Sequence, residues 1–149
     1  MVVLTVLAHF IAQRTKFGRS VYAVGGNPEA AYLSGIKDKK IQVITYIALG
    51  VLAAIAGMIL TSRLASGQPN GGLTWEFEAI TAAVIGGVSI TGGRGKVFGA
   101  LLGAVLIGLL TNGMTLLDMN SYLQQMVKGL VLVLAIGFDI YSVTKKSKK

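Results

Sequence analysis

One uninterrupted apolar segment, residues 41–60, constrains the fold more than any other feature of the chain. Its 20 residues would form an α-helix about 30 Å long, which equals the thickness of the hydrocarbon core of a bilayer. Because lipid offers no hydrogen-bond partners, a spanning segment has to satisfy its backbone internally, as a helix does. Only 13% of the residues are charged, about half of the usual share in a soluble domain. The chain is therefore expected to be an all-α membrane protein.

Four other apolar segments occur in the chain, at residues 2–12, 79–90, 98–117 and 122–141. The segment 79–90 reaches spanning length only if residues 75–78 join its helix. The segment 2–12 covers about 16 Å as a helix, so it is expected to be the end of a membrane helix that begins upstream. The predicted fold class is all-α: a polytopic transmembrane helical protein with about four full spans plus a truncated first span.

The basic residues predict how the chain is oriented. Residues 13–40, residues 91–97 and the C-terminal tail carry twelve of the fourteen Lys and Arg residues, and such residues accumulate on the cytoplasmic side of a membrane. The expected organisation is a truncated helix end at 1–12, a cytoplasmic loop containing a short helix at 13–40, a transmembrane region at 41–141 and a basic cytoplasmic tail at 142–149. The chain is thus predicted to be a multi-pass protein of the cell (plasma or inner) membrane, with Lys37 and Lys149 inside and Asn70 outside.

A short helix with both ends marked is predicted within the cytoplasmic loop. Asn27 suits the N-cap, Pro28 the first helical position, and Glu29 the positive end of the helix dipole. Gly35 supplies a residue that adopts the left-handed conformation with which helices often end. The residues expected to be available for contact are Ala30, Ala31 and Leu33. Such a helix either fills a loop or docks into a groove on a partner.

The spacing of Glu29, Ala30, Ala31 and Gly35 resembles the loop by which permeases of ATP-binding-cassette (ABC) importers contact their ATPase. The segments VYAVGGNPEAAYLSGI, SRLASGQP and EAITAAVIGGVSITGGRGKVFGALLGA resemble the ribose/xylose branch of sugar ABC permeases. The resemblance implies import of a monosaccharide such as ribose or xylose. It also implies three partners: an ABC ATPase subunit, an extracytoplasmic sugar-binding protein and a second permease copy. The ATPase-coupling residues that it implies are Asn27, Pro28, Glu29, Ala30, Ala31, Leu33 and Gly35.

Neither catalysis nor a cofactor is expected of the chain itself. A P-loop needs Ser or Thr after its Gly-Lys pair, but Val97 follows Gly95 and Lys96. The six carboxylates are scattered, and the near pair at positions 76 and 78 is two residues apart, a spacing that does not share a helix face. ATP hydrolysis is therefore assigned to a partner subunit.

Metal and nucleic-acid sites are not expected either. The chain has no cysteine, and its single histidine, His9, lies in an apolar segment without a second ligand nearby. The net charge of +8 is read as a topology signal, because the aromatic and basic residues are not interleaved as in single-strand binders. The chain is therefore predicted to contact membrane lipid and not nucleic acid.

Small residues recur every four positions at Gly95, Gly99 and Gly103. On a helix this leaves one face without side chains, as in close helix–helix packing. Packing within the subunit is favoured over dimerisation.

Lys128 is the one charge predicted to lie well inside a span. An intramembrane cation is costly and marks either function or a compensated position. Snorkelling to the outer surface or pairing with Asp118 is favoured over a role in the substrate pathway. If there is a pathway here, Lys128 and the neutral groups Asn112, Gln124 and Gln125 are its candidates.

A second hypothesis is a membrane protein without transport of its own, either an inactive truncated fragment or an accessory subunit. The upstream reading frame discriminates this hypothesis from a working permease, because several apolar spans interrupted by one stop codon or frameshift would identify a broken permease. A passive channel is disfavoured, since a docking helix would have no function there.

Overall fold

The computed structural model describes residues 2–69 and 71–147, and for Val2 and residues 142–147 it describes the backbone alone. Asn70 and Lys149, whose sides of the membrane are predicted above, lie outside this part. The described residues form helices and turns without a strand. The helices are α1 (Val2–Arg14), α2 (Lys16–Gly26), α3 (Pro28–Leu33), α4 (Asp38–Leu64), α5 (Trp75–Ile85), α6 (Val97–Leu116) and α7 (Ser121–Ser147).

Three of the described helices are long and apolar enough to cross a membrane, namely α4, α6 and the part of α7 at Ser121–Tyr141. A shorter apolar helix lies at Val3–Arg14 within α1. The predicted all-α class with several transmembrane helices is confirmed.

The helix α5 differs from the full span expected of it. Residues 75–78 do join the helix, but it ends at Ile85 after 11 residues, a length of about 16 Å. Gly87 takes a left-handed φ of 81°, and its N–H bonds to the carbonyl of Val84 while the N–H of Val88 bonds to that of Ala83. This pair of bonds is the Schellman motif, which terminates helices. The described residues thus contain three full-length spans and one half-length helix rather than four full spans.

Helices α5, α6 and α7 form the packed part of the chain. The buried side chains of α5 are Thr81, Ala82 and Val84, and α6 buries Gly103, Ile107 and Met114. Glu78 of α5 contacts Lys128 of α7, and Ser89, just beyond α5, contacts Asp139. In each contact the two residues are 50 positions apart in the sequence. Because the position along α7 increases in step with the position along α5, α5 and the turn after it run parallel to α7.

The glycine stripe of α6 packs against α5 within the same chain. A Cβ on Gly99 would collide with the carbonyl oxygen of Gly86, and a Cβ on Gly103 would collide with that of Ala82. The two backbones approach closely because neither helix places a side chain between them. The prediction that the stripe serves packing within the subunit is confirmed for Gly99 and Gly103, whereas Gly95 lies in the turn before α6 and not on the helix.

Helix α2 is absent from the sequence prediction, which has a single short helix in residues 13–40. Thr15 caps α2, since its Oγ1 accepts a hydrogen bond from the Gly18 N–H at 3.1 Å. Gly18 and Val24 are buried, and a Cβ on Gly18 would collide with the carbonyl oxygens of α1 at Ile11 and Ala12. Residues 13–40 are therefore mostly helical, and α2 packs closely on the end of α1 at Gly18.

Candidate functional site: a capped surface helix and a membrane ion pair

The N-terminus of α3 has the caps that its sequence predicts. Asn27 has extended backbone angles, and its Oδ1 accepts a hydrogen bond from the Ala30 N–H at 3.0 Å. Pro28 occupies the first helical position, where no N–H is needed. Glu29 lies in the first turn, where a negative charge is stabilised by the helix dipole. The beginning of α3 is thus determined by three consecutive residues.

The C-terminus of α3 is closed by a second Schellman motif. The Gly35 N–H bonds to the Tyr32 carbonyl at 2.9 Å, and the Ile36 N–H bonds to the Ala31 carbonyl at 3.0 Å. Gly35 has a φ of 81°, and a Cβ built on it would meet nothing within 4 Å. Glycine is therefore favoured here by backbone conformation and not by space.

The two faces of α3 differ sharply in exposure. Ala31, which the sequence prediction places among the contact residues, is only 5% exposed. It packs against the rest of the chain and is not available to a partner. Leu33 is 80% exposed and Tyr32 is 68% exposed, while Glu29 and Ala30 are exposed as well. Tyr32 is absent from the sequence-predicted contact residues, although its position beside Leu33 would have indicated it. A helix capped at both ends therefore presents two large exposed side chains to a partner.

The turn between α5 and α6, residues 86–96, lies against α2 just before α3 begins. The hydroxyl of Tyr22 donates to the Gly95 carbonyl at 2.9 Å. A Cβ on Gly92 would collide with the carbonyl oxygen of Gly25, and a Cβ on Gly93 would lie against the backbone of Gly26. The two predicted cytoplasmic segments are therefore neighbours at one end of the helices.

Lys128 forms an ion pair with Glu78, with 2.5 Å between Nζ and Oε1. The two side chains are 17% and 28% exposed. The pairing with Asp118 that was considered from sequence is replaced by this one. Asp118 belongs to the turn after α6, where it has a φ of 55°, whereas the late start of α5 brings Glu78 to the depth of Lys128. The intramembrane cation is thereby compensated within the chain.

The other candidate pathway residues do not gather around Lys128. The side-chain amide of Gln124 donates to the Met119 carbonyl at 2.9 Å, and Asn112 and Gln125 are exposed. Within the part of the chain that the structure describes, no hydrogen bond joins these three residues to one another or to Lys128. The described residues do not by themselves assemble a sugar site from this set.

A cavity of about 700 Å³ opens between α1, α2, α4 and α6. Apolar side chains such as Leu7, Phe17 and Leu52 form most of its lining, which also includes Arg94 and Lys96. A sugar presents many hydroxyl groups, each of which costs free energy when it is buried without a hydrogen bond. This lining therefore does not suit a monosaccharide.

The described helices, with three of spanning length and a half-length helix whose Glu78 pairs with Lys128, are those of a polytopic membrane protein. The profile of the family described as "Branched-chain amino acid transport system / permease component" matches residues 1–136. The chain belongs to this family.

Several of the most similar relatives are named for sugars. The chain is 47% identical over 98% of its length to the ribose import permease protein RbsC of Haemophilus influenzae. It is 47% identical over 93% of its length to RbsC of Bacillus subtilis, and 49% identical over 93% to the xylose transport system permease protein XylH of H. influenzae. It spans 45%, 43% and 37% of these three proteins, less than half of each. No solved structure matches the chain significantly.

Proposed function

We propose that the chain forms part of the membrane domain of a permease that imports a monosaccharide such as ribose or xylose, powered by ATP hydrolysis on a separate subunit. The supporting observation is α3, a helix fixed at both ends that presents Tyr32 and Leu33 outward. The sugar names of relatives between 47% and 49% identical favour a sugar over the amino acid in the family description. The implied partners are an ABC ATPase, an extracytoplasmic sugar-binding protein and a second permease copy.

In this proposal α3 is the docking helix for the ATPase, and residues 27–35 transmit its motion. Exposed apolar side chains on a short helix suit insertion into a groove. Ala31 and the two sets of caps hold α3 to the chain, so a force on Leu33 moves the helix as a whole instead of unwinding it. ATP drives transport in this scheme because the docked ATPase contacts α3 differently in its two states.

The orientation that accompanies the proposal is cytoplasmic for α2, α3, the turn at 86–96 and the C-terminal tail. Its support is the contact of that turn with α2, which brings eight cations of the two segments to one end of the helices. Arg63 lies at the far end of α4, and Lys128 is neutralised by Glu78. Such an asymmetry is typical of the cytoplasmic side.

Orientation is tested by thiol labelling, because the chain has no cysteine of its own. Lys37→Cys and Gln68→Cys place single thiols at exposed positions at opposite ends of α4. An impermeant reagent applied to intact cells should label Gln68→Cys and should reach Lys37→Cys only after the cells are opened. The reverse pattern would invert the topology.

The docking role is tested at Gly35, where two substitutions differ in one property. Valine is strongly disfavoured at positive φ, whereas asparagine tolerates it, and both have room. The complete permease is reconstituted with its ATPase and binding protein, and ATP hydrolysis and uptake are measured. Gly35→Val should lower both activities together while binding of sugar to the external protein is retained, and Gly35→Asn should retain all three. Equal, wild-type activity of both variants would remove α3 from the mechanism.

The substrate is tested by uptake into proteoliposomes of labelled ribose, xylose and leucine. We expect uptake of one of the sugars and none of leucine. Uptake of leucine alone would support the family description, and no uptake with any ATPase that co-purifies would favour the second hypothesis, a membrane subunit without transport of its own. Within a working transporter, Asn112, Gln124, Gln125 and Lys128 are the proposed pathway residues.

A further inference from the structure

We propose that the glycine-rich turn between α5 and α6, residues 86–96, transmits motion of α3 to the membrane helices. It does so through a contact with Gly25 and Gly26, the seat, and Gly25 is a positioning residue for transport. This inference rests on the proposed docking of an ATPase at α3. It assigns a mechanical role to the TGGRGKV segment, whose sequence does not match a nucleotide-binding P-loop.

The contact between α2 and the turn is made by backbone against backbone. Gly25 and Gly26 end α2, directly before the cap of α3, and they face Gly92 and Gly93 of the turn. No side chain stands between them whose rotamer could absorb a displacement. Closely packed protein is poorly compressible and passes displacement on to its neighbours.

The turn itself is held from within. The Ser89 N–H bonds to the Arg94 carbonyl at 3.1 Å, and the Gly92 N–H bonds to the Ser89 carbonyl at 3.2 Å. The Ser89 and Thr91 hydroxyl oxygens are 2.9 Å apart. The hydroxyl of Tyr22 fixes the turn to α2 through Gly95. The turn is thus cross-linked by its own hydrogen bonds and tied to α2, which favours its movement as one unit.

On its other side the turn is attached to α7 by one carboxylate. Oδ2 of Asp139 accepts hydrogen bonds from the Ser89 hydroxyl at 2.9 Å and from the Ile90 N–H at 3.2 Å. The turn also ends α5 and begins α6, so a push at Gly25 reaches three membrane helices at once. By contrast, α4, which follows α3 directly in the chain, has no buried residue and lacks a comparable packed contact with α5, α6 or α7 among the described residues.

Two neighbouring glycines provide a matched pair for the test. A Cβ on Gly25 would lie 2.9 Å from the Gly93 nitrogen, closer than a real Cβ contact, whereas a Cβ on Gly26 would lie 3.6 Å from the Gly93 Cα, an ordinary contact. Both glycines are helical, where alanine is a better helix former than glycine. Gly25→Ala therefore changes the seat without straining α2, and Gly26→Ala controls for the added methyl group.

The functional readout is the number of sugar molecules imported per ATP hydrolysed by the complete, reconstituted transporter. We expect Gly25→Ala to lower this ratio roughly 5-fold or more, the lower end of typical coupling between two sites, with ATP hydrolysis and permease abundance maintained. Gly26→Ala should keep the wild-type ratio. A loss of folding alone would lower the amount of active transporter and leave the ratio unchanged.

A structural readout separates the seat from the ATPase. Spin labels at Leu33→Cys and Arg94→Cys, both exposed positions, report the distance from α3 to the turn in the permease without its ATPase. Gly25→Ala should shift this distance and Gly26→Ala should not.

An unshifted distance, or a wild-type transport ratio in Gly25→Ala, would overturn the seat while the proposed function stands. A wild-type permease that neither binds nor stimulates an ATPase would instead overturn the proposed function, and the seat with it.

Discussion

Helices α4 and α6 are both long and apolar and both contain glycines, yet they pack in opposite ways. Gly50 and Gly57 of α4 have nothing within 4 Å of a built Cβ, while Gly99 and Gly103 of α6 touch the backbone of α5. No residue of α4 is buried by the described chain, whereas α6 buries three. Because lipid is as apolar as a leucine side chain, hydropathy brings both helices into the membrane and does not choose their neighbours. Shape and backbone approach make that choice.

The largest difference between the two helices is expected when the same large side chain is placed on each of them. Gly103→Leu should lower the free energy of unfolding in detergent micelles by about 3 kcal/mol, the upper end for overpacking, because its Cβ meets backbone that cannot rotate away. Gly57→Leu on α4 meets open space and should change it little. Thermal unfolding of the two variants measures the difference, and equal melting temperatures would show that the α5–α6 contact is not close.

A smaller loss is expected from removing a side chain at the same interface. Ile107 is 4% exposed, whereas Ile47 of α4 is 61% exposed. Ile107→Ala should cost about 2 kcal/mol, the low end for large-to-small changes, since a membrane protein loses packing but little transfer from water. Ile47→Ala should stay within about 0.5 kcal/mol of wild type. Chemical unfolding of both variants in the same micelles measures their free energies of unfolding. A larger loss of stability in Ile47→Ala would contradict the contrast between the helices.

The ion pair tests whether α7 belongs to the packed unit. Glu78→Gln leaves Lys128 without its countercharge and should cost about 1–3 kcal/mol. Adding Lys128→Met removes the stranded cation, and the double variant should recover most of the lost stability. Glu76→Gln, two residues away and exposed, is the matched control. If the double variant is no more stable than Glu78→Gln, the two side chains are not coupled.

The smallest effect has the opposite sign and belongs to α4. Gly50→Ala has room for its methyl group and replaces the poorer helix former, so it should stabilise the protein by up to about 1 kcal/mol. Gly99→Ala on α6 should destabilise it, because the methyl group collides with the Gly86 carbonyl. A destabilised Gly50→Ala would indicate that α4 is closely packed in the assembled protein.

Local features explain which parts of the site were predictable from the sequence. The ends of α3 follow from Asn27, Pro28 and Gly35, whose interactions span a few residues. The sequence prediction lacks helix α2, although the sequence contains its marks. Thr15 is a capping residue, and the apolar spacing of Phe17, Val21 and Val24 indicates an amphipathic helix after it.

Other features were decided by the tertiary structure alone. The partner of Lys128 lies 50 residues away, and its position depends on where α5 begins and how α5 packs beside α7. The half length of α5 depends on a left-handed Gly87, one of a Gly-Gly pair that an apolar stretch does not distinguish from spanning sequence.

The sequence by itself determined that the chain is helical and enters a membrane, because every buried backbone group there must find its partner within a helix. It also determined the capped helix α3, because caps are local. Which helices touch was decided only by the fold. Gly25 packs on the turn at Gly93 and Gly103 packs on Ala82, whereas a Cβ on Gly57 would meet nothing within 4 Å among the described residues. The reason is that glycine permits close approach without specifying a partner.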